Sequence, residues 1–109
     1  MSLINKKIKK EDISEFQTLR PLIKDVLREI KELSRKKQDE VLNKLKVKSI
    51  NRILNRLKSL LKNEPLYDFL DLLNEEELPT NSDAVLIIVQ YETALEQYRK
   101  ANKDVLNYI

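Results

Sequence analysis

A chain of 109 residues that is 41% hydrophobic and 36% charged, with a net charge of only +3, has apolar residues enough for one core and length for no more than one. It contains no Gly, no Cys and no His. That argues against a sheet built on hairpin turns, a disulfide framework, a thiolate zinc site and a histidine-based active site.

Lys6, Lys7, Lys9 and Lys10 are followed by no apolar stretch of the signal-peptide kind. Residues 1–10 therefore read as a basic tail and residues 11–109 as a single domain, with the cytoplasm as the expected address. The first predicted helix covers 13–35. Leu19, Ile23, Val26, Ile30 and Leu33 recur at alternating steps of four and three, and Phe16, Leu22 and Leu27 widen the stripe. Asp12 and Glu15 have capping-box spacing just ahead of it. Pro21 falls inside, where it costs about 3 kcal/mol if truly interior, so the pattern allows a restart with Thr18 or Arg20 as cap. A tight turn is expected near 35–38, because Lys37 and Glu40 stand where the stripe should continue. One continuous helix is the alternative, since nothing from Ser34 to Asp39 is a strong breaker.

The second predicted helix covers 39–62, with Leu42, Leu45, Ile50, Ile53, Leu54, Leu57 and Leu61 facing inward and Asn63 as a left-handed cap. Glu64-Pro65 stops it and opens a short helix, 65–73, burying Leu66, Phe69, Leu70 and Leu73 and ending at Asn74. Residues 75–81 read as a loop. The last helix, 82–108, is capped by Asn81, Ser82 or Asp83. It places Ala84, Ile87, Tyr91, Ala94, Tyr98, Ala101, Val105 and Tyr108 on a seven-residue repeat. The expected fold is all-α: an elongated antiparallel helical bundle of three long helices and one short one. The sequence closes on Tyr108-Ile109 without a stop signal, so either the last helix docks its end or the chain is a piece of something longer.

Charge is segregated along the chain. Residues 1–63 carry 18 basic and 8 acidic residues, whereas residues 64–109 carry 3 and 10. Lys44, Lys48, Arg52 and Arg56 recur every fourth residue as one stripe on the second helix, with Asn51, Asn55 and Ser59 on the same exposed side. One reading is a contact surface for phosphate backbones or an acidic partner. The other is that the acidic C-terminal half covers the stripe. No aromatic residue interleaves it for base stacking, and no helix-turn-helix motif is present. The stripe also lacks the Trp or Phe anchors of a membrane-surface helix, and the longest apolar run, Ala84 to Val89, is far short of the ~20 residues a span needs, so no membrane partner is expected.

Apolar residues exceed one face in the short and last helices. Residues 84–89 are apolar all round, which implies central burial or a covered interface. Tyr67, Leu72, Leu86, Val89 and Tyr98 are the candidate interface residues, for a second copy or another protein's helix. Glu92 with Glu96, Asp68 with Asp71, and Glu75 to Glu77 are paired or clustered carboxylates that read as solvated surface, and no Gly-rich loop exists to cradle phosphate. No catalytic residue, cofactor, metal site or small-molecule substrate is expected. The function expected is a non-catalytic protein-interaction module, as a homo-oligomer or a small subunit of a complex. Nucleic-acid binding along the basic stripe is the alternative.

Overall fold

The computed structural model describes residues 8–106. Most of the expected N-terminal tail, together with Tyr108, lies outside these residues. Helix α1 spans Lys10–Lys36, α2 spans Lys44–Leu60, α3 spans Asn81–Ala101, and one further turn, α4, spans Lys103–Leu106. A 3₁₀ helix, Pro65–Phe69, and a segment without regular secondary structure, residues 70–80, bent at 75–77, connect α2 to α3. Among the described residues there is no β-strand, only an isolated antiparallel bridge between Val41 and Thr80. The protein is an all-α helical bundle, 49 × 24 × 19 Å. Its long axis matches α1, whose 27 residues extend about 40 Å at 1.5 Å each.

Helix α1 is the spine. Its pairs with α3 run from Phe16 against Tyr98, ring centroids 6.1 Å apart, to Lys24 against Glu92 at 3.9 Å. Its pairs with α2 run from Glu15 with Arg56 to Glu29 with Lys46. Both neighbours are thus antiparallel to α1 and parallel to each other. The 70–80 segment runs back along α2 and also touches α3, through the Tyr91 hydroxyl, which donates to the Asp71 carbonyl at 2.8 Å. The core is one cluster with Phe16, Leu19, Ile23, Leu27 and Ile30 from α1 and Val47, Leu54 and Leu57 from α2. Ala84, Ile88, Tyr91, Leu95 and Tyr98 close it from α3, and Leu61, Leu70, Leu73 and Leu106 fill its edges.

Several sequence expectations are corrected. Helix α1 does not restart at Pro21 but passes through it, with Pro21 on the exposed side where its lost N–H leaves a carbonyl that water can reach. The helix opens at Lys10 on Lys9, with no side-chain cap, so Asp12 and Glu15 form no capping box. Helix α2 starts at Lys44, not 39, because the Asn43 side chain accepts from the Lys46 amide at 2.8 Å and caps it there. The tight turn is a longer connection, residues 37–43, whose backbone is engaged elsewhere. Leu42 N–H donates to Pro79 O, Asn81 N–H to Glu40 O and Ser82 N–H to Gln38 O. Helix α2 ends on Leu61 at φ −98°, ψ 12°, so the expected left-handed cap at Asn63 is not how the helix stops.

The short helix over 65–73 is reduced to five residues of 3₁₀ geometry. The backbone it would need is taken by side chains of the long helices. Asn51 binds both Leu73 N–H and Leu73 C=O, Lys58 donates to Leu70 O, and Tyr91 holds Asp71 O. A nine-residue helix has little cooperative stability to set against these contacts. Helix α3 is capped by Thr80, which accepts from Asp83 N–H at 3.1 Å, rather than by residues 81–83. Asn81 is buried and donates its amide to Lys37 O at 2.8 Å. The helix breaks at Asn102, whose side chain donates to Tyr98 O. Its buried stripe is Ala84, Ile88, Tyr91, Leu95 and Tyr98; Ile87 is half-buried, and Ala101 and Val105 are exposed.

Candidate interaction surfaces

The outer side of α2 is the first surface. Core contacts at Val47, Ile50, Leu54 and Leu57 fix the rotation of the helix and turn Lys44, Lys48, Arg52 and Arg56 to solvent. A residue every four advances about 40° around a helix. The stripe therefore winds from the outer side at Lys44 to the flank that meets α1 at Arg56. There Arg56 donates twice to Glu15, at 2.9 and 2.5 Å. The guanidinium holds the Glu15 carboxyl below the usual carboxylate range, chiefly through that hydrogen bond, and Glu15 in turn raises Arg56. Among the described residues Lys44, Lys48 and Arg52 have no acidic partner within ion-pair distance. Neither α3 nor the 70–80 segment covers them. Asn55 and Ser59 share this exposed side, but Asn51 does not: it faces the core and clamps Leu73.

The second surface is a groove of about 260 Å³ between α1 and α2, lined by Val26, Glu29, Ile30, Leu45, Lys46, Ser49 and Ile50. Leu45, expected to face inward, is 76% exposed at its rim. The true buried stripe of α2 is 47, 50, 54, 57 and 61, at steps of three and four; Leu45 falls outside it by spacing alone. That regular spacing was the signal for this surface. The Glu29–Lys46 pair, 3.4 Å, lies in the groove. Leu22, half-exposed, stands one turn before Val26 on the same edge of α1.

The apolar candidates do not gather into one face. Tyr98 is buried against Phe16, and burial pushes its phenol up to about 12, so it belongs to the core and not to an interface. Val89 is half-buried against the same core. Leu86 is 64% exposed, on the flank of α3 that also carries Thr93 and Gln97. Tyr67 is half-buried beneath the Lys58 ammonium, 4.8 Å from its ring centroid, while that ammonium also donates to Leu70 O at 2.6 Å. Leu72 is exposed on the 70–80 segment. Phe69, expected in the core, is 63% exposed because the 3₁₀ turn directs Leu70 inward instead.

The carboxylates form no centre. Glu92 faces Lys24, and Glu96 is bound by Arg99, whose hydrogen bond keeps it below its ordinary range. Glu76 and Glu77 donate their backbone N–H groups to the Asn74 side chain. Among the described residues no group of three or more Asp and Glu converges as a metal site, and no helix is long and apolar enough to cross a membrane. No protein-family model, curated protein or solved structure matches the chain, and the surfaces stand on their own geometry.

Proposed function

We propose that the protein is a non-catalytic helical interaction module, working as a small subunit of a complex or as a homo-oligomer, in the cytoplasm. The observation that carries this reading is Leu45. A large aliphatic side chain stands 76% exposed on the rim of an apolar groove between two long helices, where a covering partner would remove it from water. The two helices are held by the core on their other side, so the groove is preformed and a partner need not order it. A photo-crosslinking residue at position 45, with one at Thr93 as control, tests the reading in cells. Protein adducts from position 45 and none from position 93 are the expected result. Adducts that vanish on nuclease treatment, or no adduct, overturn it.

A second reading, nucleic-acid binding along α2, is favoured by the uncovered Lys44, Lys48 and Arg52. Binding through these residues would weaken steeply between 50 and 200 mM salt. Gel shifts of the wild type and of Lys48→Glu with Arg52→Glu test it. Identical shifts in the two proteins would dispose of the stripe.

A further inference from the structure

We infer that the cleft between α1 and α3 seats the phosphate backbone of a nucleic-acid duplex, without reading its sequence. This goes beyond the interaction-module reading and does not depend on the groove at Leu45. Arg20, Lys24, Arg28, Lys31 and Arg35 recur on α1 at steps of four, four, three and four. That spacing holds them within about 80° of one another around the helix and along about 22 Å of its length. Core contacts at Ile23, Leu27 and Ile30 fix the rotation, and the stripe runs along the flank of α1 beside α3, where Lys24 meets Glu92. Three hollows of about 540, 380 and 570 Å³ follow it in order. The first and second share Lys24 and Glu92, and the second and third share Lys31 and Arg35, so they form one continuous cleft. Lys100 of α3 stands at one end and Lys36 at the other.

Charge and lining decide the occupant. Seven basic residues line the cleft against three acidic ones, Glu32, Glu92 and Glu96. Arg28 pairs with Asp25 and Arg35 with Glu32, each within its own helix, and Lys24 with Glu92 at 3.9 Å. All three pairs are solvent-exposed and weak enough to give way to phosphate. Lys31 and Lys36 have no acidic partner within ion-pair distance among the described residues. The apolar side chains in the lining are Leu27, which is buried, and Val85, which is half-buried, so a peptide or protein helix would find no anchor there. No aromatic residue lines the cleft, which leaves the bases of a single strand nothing to stack on. A duplex needs neither. Over 22 Å it presents about six phosphates per strand, and the forked donors of Arg20, Arg28 and Arg35 suit them.

Fluorescence anisotropy with a labelled 24-base-pair DNA duplex of arbitrary sequence tests this on the intact protein. Binding is expected at 50 mM salt, with a steep fall by 200 mM. Arg28→Glu with Lys31→Glu should weaken it at least tenfold, and Lys48→Glu with Arg52→Glu on α2 less than twofold. The two double variants change the net charge equally, so equal weakening would be a bulk charge effect and overturns the inference. Binding indifferent to the α1 variant, tighter binding of the single strand, or no binding at 50 mM also overturns it. So does a polyglutamate peptide or a phosphatidylserine vesicle that binds as tightly as the duplex. Arg28 and Lys31 are exposed, and melting within a few degrees of wild type confirms an intact fold. If the variant melts lower, amide chemical shifts of the wild type titrated with the duplex decide instead. Changes confined to 20–36 and 85–100 support the cleft, and changes centred on 44–56 refute it. Either result leaves the position 45 crosslink to judge the interaction-module reading.

Discussion

The side chain of Asn51 is hydrogen-bonded to both backbone polar groups of Leu73, donating to its carbonyl at 2.8 Å and accepting from its amide at 2.9 Å. One buried carboxamide thus does for a single residue what a neighbouring strand would do. It fixes the 70–80 segment along α2 and keeps Leu70 and Leu73 in the core. Replacing Asn51 by Leu would strand both groups, at about 1–3 kcal/mol each before relaxation. We expect a loss of about 3 kcal/mol and a melting temperature lower by roughly 10–20 °C. Hydrogen exchange at the Leu73 amide should accelerate in step, whereas Asn55→Leu on the exposed side of the same helix should leave both unchanged.

Pro21 predicts a gain. The helix continues through it and its ring is exposed, so nothing in the core depends on it. Pro21→Ala restores an i to i−4 hydrogen bond and removes a ring clash, and should stabilise by about 2 kcal/mol after the lost rigidity of the unfolded chain is deducted. Chemical denaturation measures this directly. No change in midpoint would mean that the helix already bends there without strain.

Two glutamates should respond to pH with opposite signs. Glu15 has a folded pKa below its ordinary value of 4.5, so its pairing with Arg56 stabilises fully above that value and is lost as pH falls through the lower folded one. Burial raises Glu64 above 4.5, so its ionisation opposes folding at neutral pH and the penalty is relieved as pH falls through the raised value. Melting curves across pH 3 to 7 should show Glu64→Gln more stable than wild type at pH 7, with the gap closing on acidification. Arg56→Gln should be less stable at pH 7, with its gap also closing below 4.5. Gaps independent of pH would refute both assignments.

Leu42 and Leu45 separate core from surface within four residues. Leu42 is buried and anchored by its amide on Pro79 O, whereas Leu45 is mostly exposed. Leu42→Ala should cost about 2–4 kcal/mol, and Leu45→Ala no more than about 0.5. Equal costs in thermal melts would place Leu45 in the core and remove the exposed rim.

The all-α class, and the rotation of α1 with Phe16, Leu19, Ile23 and Ile30 turned inward, are legible in the residues themselves, because a Gly-free chain with apolar residues at steps of three and four has few other ways to bury them. The exposed sides of Lys44, Lys48, Arg52 and Arg56 follow from the same periodicity. Periodicity alone does not reveal what competes for a backbone. Residues 70–73 have the composition of a helix, and become extended because Asn51, Lys58 and Tyr91, distant in sequence, take their carbonyls and an amide. Nor does it show what lies across from a side chain. Tyr98 looks amphipathic and is buried because Phe16 stands opposite it. Local spacing determined the helices and their charged faces. Long-range hydrogen bonding and packing, which no local pattern encodes, decided the path of residues 70–80 and left the outer side of α2 uncovered.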